Sequence, residues 1–254
     1  KRVEKVKRYV DRMYIIFPFE TEFYRKHGIE TEYMGNPLVD ETERRIASMP
    51  GNVEISGDLG LNDKPVIALL AGSRKHEVDT ILPLMVKIVP LFSEYQFVLA
   101  GVKNLPEDLY INIIGNAPVK LVKDKTYEVL KVAEAALVTS GTATLETALF
   151  DVPQVVCYKG DFLSMLIAWI VIKVKFISLV NLIMNEEIVR ELLGYSVNKK
   201  NLVKELKSVV KGGERRNYIL SGYENLREKL GPAGASGRFA LDMIAILEKS
   251  RKTV

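Results

Sequence analysis

With one cysteine, two histidines and one tryptophan in 254 residues, the chain has little room for several kinds of chemistry. A lone thiol, Cys157, can form no internal disulfide and points to a reducing, cytoplasmic compartment. Its neighbours Val155 and Val156 predict an inert core thiol, not a nucleophile. His27 and His76 stand isolated, and no Asp-x-Asp motif or His/Cys cluster accompanies them, so neither a metal nor a cofactor is expected. The sequence shows no internal repeat or low-complexity stretch, and no secretory signal is expected. Its positive excess is small, +4, and its Lys/Arg groups near Lys1–Arg8, Lys199–Lys211 and Arg215–Arg216 lack aromatic interleaving. Nucleic acid is therefore not an expected partner.

Long apolar runs are also scarce. The stretch Phe162–Ile172 has eleven uncharged residues, a helix of roughly 16 Å against a bilayer core of roughly 30 Å. It is too short to span. The reading of 162–175 is either a helix lying in a membrane surface, with Trp169 at headgroup level and Lys173 and Lys175 toward anionic lipid, or a helix buried in the core or between subunits of a homodimer.

The most telling stretch is Ser140-Gly141-Thr142-Ala143-Thr144-Leu145-Glu146, directly after the apolar run Ala135–Val138. A buried strand that turns through Ser-Gly-Thr into a helix aims unpaired amides, and the positive end of the helix dipole, at one point. Glu146, about a turn and a half into the helix, is placed to accept from sugar hydroxyls. Phosphate and ribose together suggest a nucleoside diphosphate. A second apolar strand, Val66–Leu70, runs into Gly72-Ser73-Arg74, and arginine offers a planar fork for phosphate oxygens. Two glycine turns at the ends of apolar strands make a stronger signal than either alone, because ligands gather at the carboxyl ends of strands in open α/β sheets.

Periodicity predicts an α/β protein with a parallel sheet flanked by helices. The expected strands lie at 12–17, 28–33, 66–70, 96–101, 119–122, 136–139 and 154–158. Helices are expected near 1–11, 21–27, 40–47, 76–92, 127–133 and 142–150, with three more at 200–207, 214–230 and 236–250. Residues 51–60 read as a polar linker.

In order along the chain, Phe17-Pro18-Phe19-Glu20, Gly35-Asn36-Pro37-Leu38-Val39-Asp40, Gly72-Ser73-Arg74 with Glu77-Val78, Ser140–Glu146, Tyr158-Lys159 and Ser178–Ile183 followed by Glu187 and Glu191–Leu193 resemble the lipid-A-disaccharide synthase family. The likeness extends from about Arg12 to Ala240. The chain departs from the family pattern at Ala71 and Val180, where proline is usual, and at Asn36, where histidine is usual.

The resemblance implies an inverting glycosyltransferase of the GT-B type, with most of its N-terminal Rossmann domain lying upstream of Lys1. Residues 1–50 would be the remnant of that acceptor domain. Residues 51–230 would be the UDP-sugar-binding domain, and 231–254 a helix packing back on the first. The implied reaction transfers 2,3-diacylglucosamine from UDP to 2,3-diacylglucosamine 1-phosphate, without a metal, at the inner face of the inner membrane. Gly72, Ser73, Arg74, Ser140, Gly141, Thr142 and Thr144 would hold the diphosphate and Glu146 the ribose. Asn181 and Glu187 would line the sugar side, and Thr126 and Tyr127 are placed near the uracil. The general base would lie in the absent domain, leaving this chain able to bind UDP and inactive alone. Another UDP-sugar enzyme of the same architecture, such as an N-acetylglucosaminyltransferase or a 2-epimerase, and a non-catalytic interaction module are the competing readings.

Overall fold

The computed structural model describes residues 2–159 and 175–251, so the apolar stretch 162–172 lies outside the described residues. In chain order the elements are α1 (Arg2–Tyr9), β1 (Tyr14–Ile15), α2 (Glu20–Lys26), β2 (Glu32–Tyr33), α3 (Pro37–Ser48), α4 (Asn52–Asp58), β3 (Val66–Leu70), α5 (Lys75–Val86) and β4 (Gln96–Gly101). They continue with α6 (Glu107–Ile114), β5 (Val119–Lys123), α7 (Thr126–Val132), β6 (Ala133–Thr139), α8 (Thr142–Leu149) and β7 (Gln154–Tyr158). The last are α9 (Leu179–Met184), β8 (Arg190–Leu193), α10 (Lys199–Val209), α11 (Arg216–Leu230) and α12 (Ala235–Arg251).

The chain divides into two compact units, one of residues 48–224 and one of residues 1–47 with 225–254. The larger holds a six-stranded sheet in the order β5-β4-β3-β6-β7-β8, with every neighbouring pair parallel. Numbered within the sheet, that is 3-2-1-4-5-6, the order of a doubly wound dinucleotide-binding fold. The central strands read as unbroken apolar runs because helices cover both faces; all five residues of β3 are buried. The edge strand β5 has none buried.

The polar linker expected at 51–60 is instead helix α4. Ile55 and Leu59, a turn apart, sink into the cluster with Ala68, Leu70 and Val98, and that burial outweighs the Gly and Ser that discourage a helix. Helix α6 and strand β8 were not anticipated either. Helix α6 is set by burial of Tyr110 and Ile114, also a turn apart. Strand β8 carries Arg190 and Glu191 and gains its character only from pairing with β7.

In the smaller unit β1 and β2 pair in parallel. Asp40 of α3 receives the backbone N–H groups of Gly234, Ala235 and Ser236 at 2.7, 3.1 and 2.8 Å, so one carboxylate caps the start of α12 from a distant helix. Arg238 donates to the carbonyls of Met34, Pro232 and Ala233. That close approach requires Gly35, whose φ is +102° and where a Cβ would lie 2.8 Å from the guanidinium. Asn36, buried, donates to the carbonyl of Ile16 and accepts the N–H of Leu38 at the start of α3. Among the described residues no helix is long and apolar enough to cross a membrane.

Candidate functional site

The order of strands reverses direction at β3, so the crossovers leaving β3 and β6 go to opposite sides and leave a crevice beyond their carboxyl ends. A pocket of about 360 Å³ occupies that position. It is lined from one side by the turn after β3 (Gly72, Ser73, Arg74) and from the other by the turn after β6 (Ser140, Gly141, Thr142), with Glu146 and Thr126 completing the wall. These turns are 68 residues apart in the chain, counting from Gly72 to Ser140, and the sheet order makes them neighbours.

The first turn is held by Glu77, three residues into α5. Its Oε2 accepts the backbone N–H groups of Ser73 (2.9 Å) and Arg74 (3.2 Å), and its Oε1 accepts from the Arg74 guanidinium at 3.2 Å. Gly72 has φ +111°, and a Cβ there would meet the Glu77 carboxylate at 2.5 Å. Two of the backbone donors expected for phosphate are thus already engaged by an internal carboxylate. What this turn offers a ligand is the Arg74 guanidinium, 82 % exposed, with donors left over from one bond to Glu77. Asn104 ties the turn to the loop after β4 through the Ser73 carbonyl.

The second turn differs. Helix α8 has no side-chain cap at Gly141, so its first amides, those of Thr142 and Ala143, open toward the pocket they line. Thr142 is exposed at the rim. The Ser140 hydroxyl is spent inside the protein, donating to the carbonyl of Ile177 at 3.0 Å, so Ser140 shapes the turn through its backbone. Glu146 reaches the same pocket and accepts a hydrogen bond of 2.7 Å from the Tyr127 hydroxyl.

Four expected residues do not line the pocket. Thr144 is fully buried; its hydroxyl donates to the carbonyl of Gly141 and accepts the N–H of Leu179, which locks α8 to α9. The Tyr127 ring packs on Phe150, with centroids 5.1 Å apart, and its hydroxyl positions Glu146. Asn181, also fully buried, exchanges hydrogen bonds with the backbone of Val189 and donates to Glu191. Glu187 sits in the loop before β8, paired with Arg190 and Arg215 at 3.1 and 3.2 Å. Asn181 acts at one remove. Glu191 gathers the N–H groups of Ile177 and Ser178, and Ile177 in turn receives Ser140.

Two polar pocket residues, Glu77 and Thr139, escaped sequence reasoning as site members. Glu77 carries a local signal, since a carboxylate three residues after the start of a helix commonly reaches back to the cap. Thr139, the last residue of β6, reads as an ordinary β-branched strand residue. Cys157 on the next strand is fully buried and its thiol is pushed up to about 12 by that burial. Among the described residues no three of His, Cys, Asp and Glu gather as a metal site would require.

A 3-2-1-4-5-6 parallel sheet with a pocket between glycine turns at its switch point defines a Rossmann-like domain of the GT-B type. The family model described as lipid-A-disaccharide synthetase matches residues 1–236, and the chain belongs to that family. It is 35 % identical over 257 aligned positions to the lipid-A-disaccharide synthase of Syntrophus aciditrophicus (strain SB), an alignment covering 98 % of this chain and 66 % of that protein. The chain therefore spans just under two thirds of the length of that relative, and of the Myxococcus xanthus lipid-A-disaccharide synthase it also matches. Among solved structures, the S. aureus MnaA–UDP co-structure aligns with a TM-score of 0.67 at 16 % identity, covering 96 % of this chain and 63 % of that one. The Neisseria meningitidis UDP-GlcNAc 2-epimerase bound to UDP-GlcNAc aligns with a TM-score of 0.60 at 12 % identity, covering 92 % and 61 %. At such identities the likeness concerns the fold.

Proposed function

We propose that this chain binds a UDP-sugar in the pocket between the 72–74 and 140–142 turns, as the nucleotide-sugar-binding part of a lipid-A-disaccharide synthase. The whole protein would transfer 2,3-diacylglucosamine from UDP to 2,3-diacylglucosamine 1-phosphate. The observation that carries this reading is the convergence on one pocket of an uncapped helix start, an exposed arginine and a carboxylate held by Tyr127. The solved neighbours with UDP and UDP-GlcNAc support it.

In the reaction the anomeric C–O bond to the diphosphate breaks, and UDP leaves with an added negative charge. The α8 amides and Arg74 are donors fixed in advance where that charge grows, which lowers the barrier. The acceptor hydroxyl attacks the opposite face of the anomeric carbon and gives its proton to a general base within hydrogen-bond reach. No carboxylate of this chain is assigned that role, and in the family the base belongs to the acceptor-binding domain. Glu146, engaged with Tyr127, is suited to hold ribose hydroxyls. Thr126 lines the side of the pocket toward α7 and is the candidate for the base edge.

Lipid substrates of this kind would bring the whole enzyme to the inner face of the inner membrane, with 162–175 as the proposed contact to lipid or to a second copy. Calorimetric titration with UDP tests the central reading, and the absence of binding to the chain would refute it. Replacing Leu163, Leu166 and Trp169 by serine separates the surface readings. Loss of vesicle co-sedimentation assigns the stretch to lipid, loss of dimer to a subunit contact, and loss of folding to the core.

A further inference from the structure

Thr139 closes β6 at the floor of the pocket, and its side chain is out of balance with its surroundings. The residue is 4 % exposed, it lines the pocket, and its Oγ1 is buried with no hydrogen-bond partner among the described residues. Burying a hydroxyl without a partner forfeits its hydration and returns nothing. A valine has the same branched shape and would fill the position without that loss. The other two polar side chains of the β6–α8 turn that are drawn inward are both spent: Ser140 donates to Ile177, and Thr144 donates to Gly141.

The backbone leaves Thr139 little freedom to find a partner. It pairs in register with Cys157 of β7, and the following N–H, of Ser140, donates to the Cys157 carbonyl at 3.1 Å. On its other side Val138 is level with Leu70 of β3, so Thr139 stands beside the start of the turn that carries Gly72 and Arg74. One residue further along its own chain begins the turn into α8. Thr139 thus stands at the end of β6 between the two turns that carry the anion donors.

We propose that Thr139 is a diphosphate-binding residue of this pocket, donating its hydroxyl hydrogen to a non-bridging phosphate oxygen of the bound nucleotide. The assignment rests on the nucleotide-sugar reading above and adds a specific contact to it. A hydroxyl donor at the floor gives the site a grip on the diphosphate besides the exposed Arg74 and the α8 amides. It also explains why a hydroxyl is kept where the free protein has no use for one.

The test combines thermal unfolding of the ligand-free chain with calorimetric titration of UDP and of inorganic pyrophosphate, for wild type, Thr139→Val and Thr139→Ser. The expected result is a Thr139→Val variant as heat-stable as wild type or more so, with affinity for both ligands reduced about tenfold or more. Thr139→Ser, which keeps the donor, should stay within about threefold of wild type for both. Unchanged affinities in Thr139→Val overturn the proposal. So does a loss confined to UDP, which would assign the hydroxyl to the nucleoside. A lowered melting temperature of ligand-free Thr139→Val also overturns it, because the hydroxyl would then serve the fold. A wild-type chain that holds pyrophosphate but not UDP refutes the nucleotide reading alone, and Thr139 is then judged on pyrophosphate.

Discussion

The Glu77 carboxylate lies 2.9 Å from the backbone N–H of Ser73 and occupies the donors that a phosphate would otherwise take at that turn. An acidic group inside an anion site looks contradictory, but it fixes the turn's shape and holds one edge of the Arg74 guanidinium. In the proposed site, the exposed donors left to a diphosphate are then the Arg74 guanidinium and the start of α8.

Gly72→Ala should therefore disable the site. A Cβ at this residue would sit 2.5 Å from the Glu77 carboxylate, on a backbone with φ +111°. The expected cost is about 1–3 kcal/mol of local strain, relieved only if Glu77 lets go of the turn. Calorimetry should find UDP binding lost or weakened more than tenfold, while circular dichroism shows the sheet intact. Wild-type affinity would mean that the turn tolerates the shift and that its shape does not matter for binding.

Arg74→Ala should weaken UDP by about 1.5–3 kcal/mol, the range for a hydrogen bond to a charged group. The melting temperature should barely move, since the side chain is exposed and its ion pair with Glu77 is a surface one. Equal UDP affinity in variant and wild type would remove Arg74 from the site.

Glu146→Gln should lower UDP affinity and leave pyrophosphate binding almost unchanged, because the acceptor it removes is assigned to ribose. Tyr127→Phe should reproduce part of that loss by freeing Glu146 from its 2.7 Å hydrogen bond. If both ligands weaken equally, Glu146 orders the turn into α8 instead of binding sugar.

Asp40 gives a pH signature. Burial raises its pKa, but the hydrogen bonds from Ser236, Gly234 and Ala235 outweigh that and leave it below the usual aspartate value. A carboxylate depressed in the folded state stabilises above its unfolded pKa of about 3.9 and loses that contribution as pH falls through the folded value. Asp40→Ala should cost about 1 kcal/mol at neutral pH, seen as faster amide exchange at Gly234, Ala235 and Ser236. The gap between variant and wild type should close below about pH 4. A gap independent of pH would show that packing, not the carboxylate charge, holds the start of α12.

Cys157 should resist alkylation in the folded chain, because burial lifts its thiol to about 12 and leaves almost no thiolate at neutral pH. A maleimide should react only after denaturant is added. Rapid labelling of the native chain would require β7 to open locally.

The elements most legible in the sequence are those whose information is local. Val66–Leu70 is apolar without interruption, and Val155–Cys157 is the apolar centre of β7, which a strand covered on both faces explains. The Gly-Ser turns announce themselves through glycine, and Arg74, Thr142 and Glu146 follow from them because they sit within a few residues of the turn. Helix α4 was illegible for the converse reason: Gly57, Ser56 and Asn52 argue against a helix, and only the core that receives Ile55 and Leu59 decides the matter.

Sequence by itself thus determined that two glycine turns close apolar strands, which side chains they carry and which family the chain belongs to. Tertiary structure decided that they share one pocket, since no periodicity specifies which parallel strands become neighbours; that follows from the crossovers, which here place β3 beside β6. It also decided which polar groups remain for a ligand. Ser140, Thr144, Asn181 and Tyr127 have their hydrogen bonds filled by partners up to 37 residues away, whereas Arg74 keeps spare donors. A buried polar group must be satisfied by whatever the fold brings to it, so its role is written in long-range contacts and not in its neighbours along the chain.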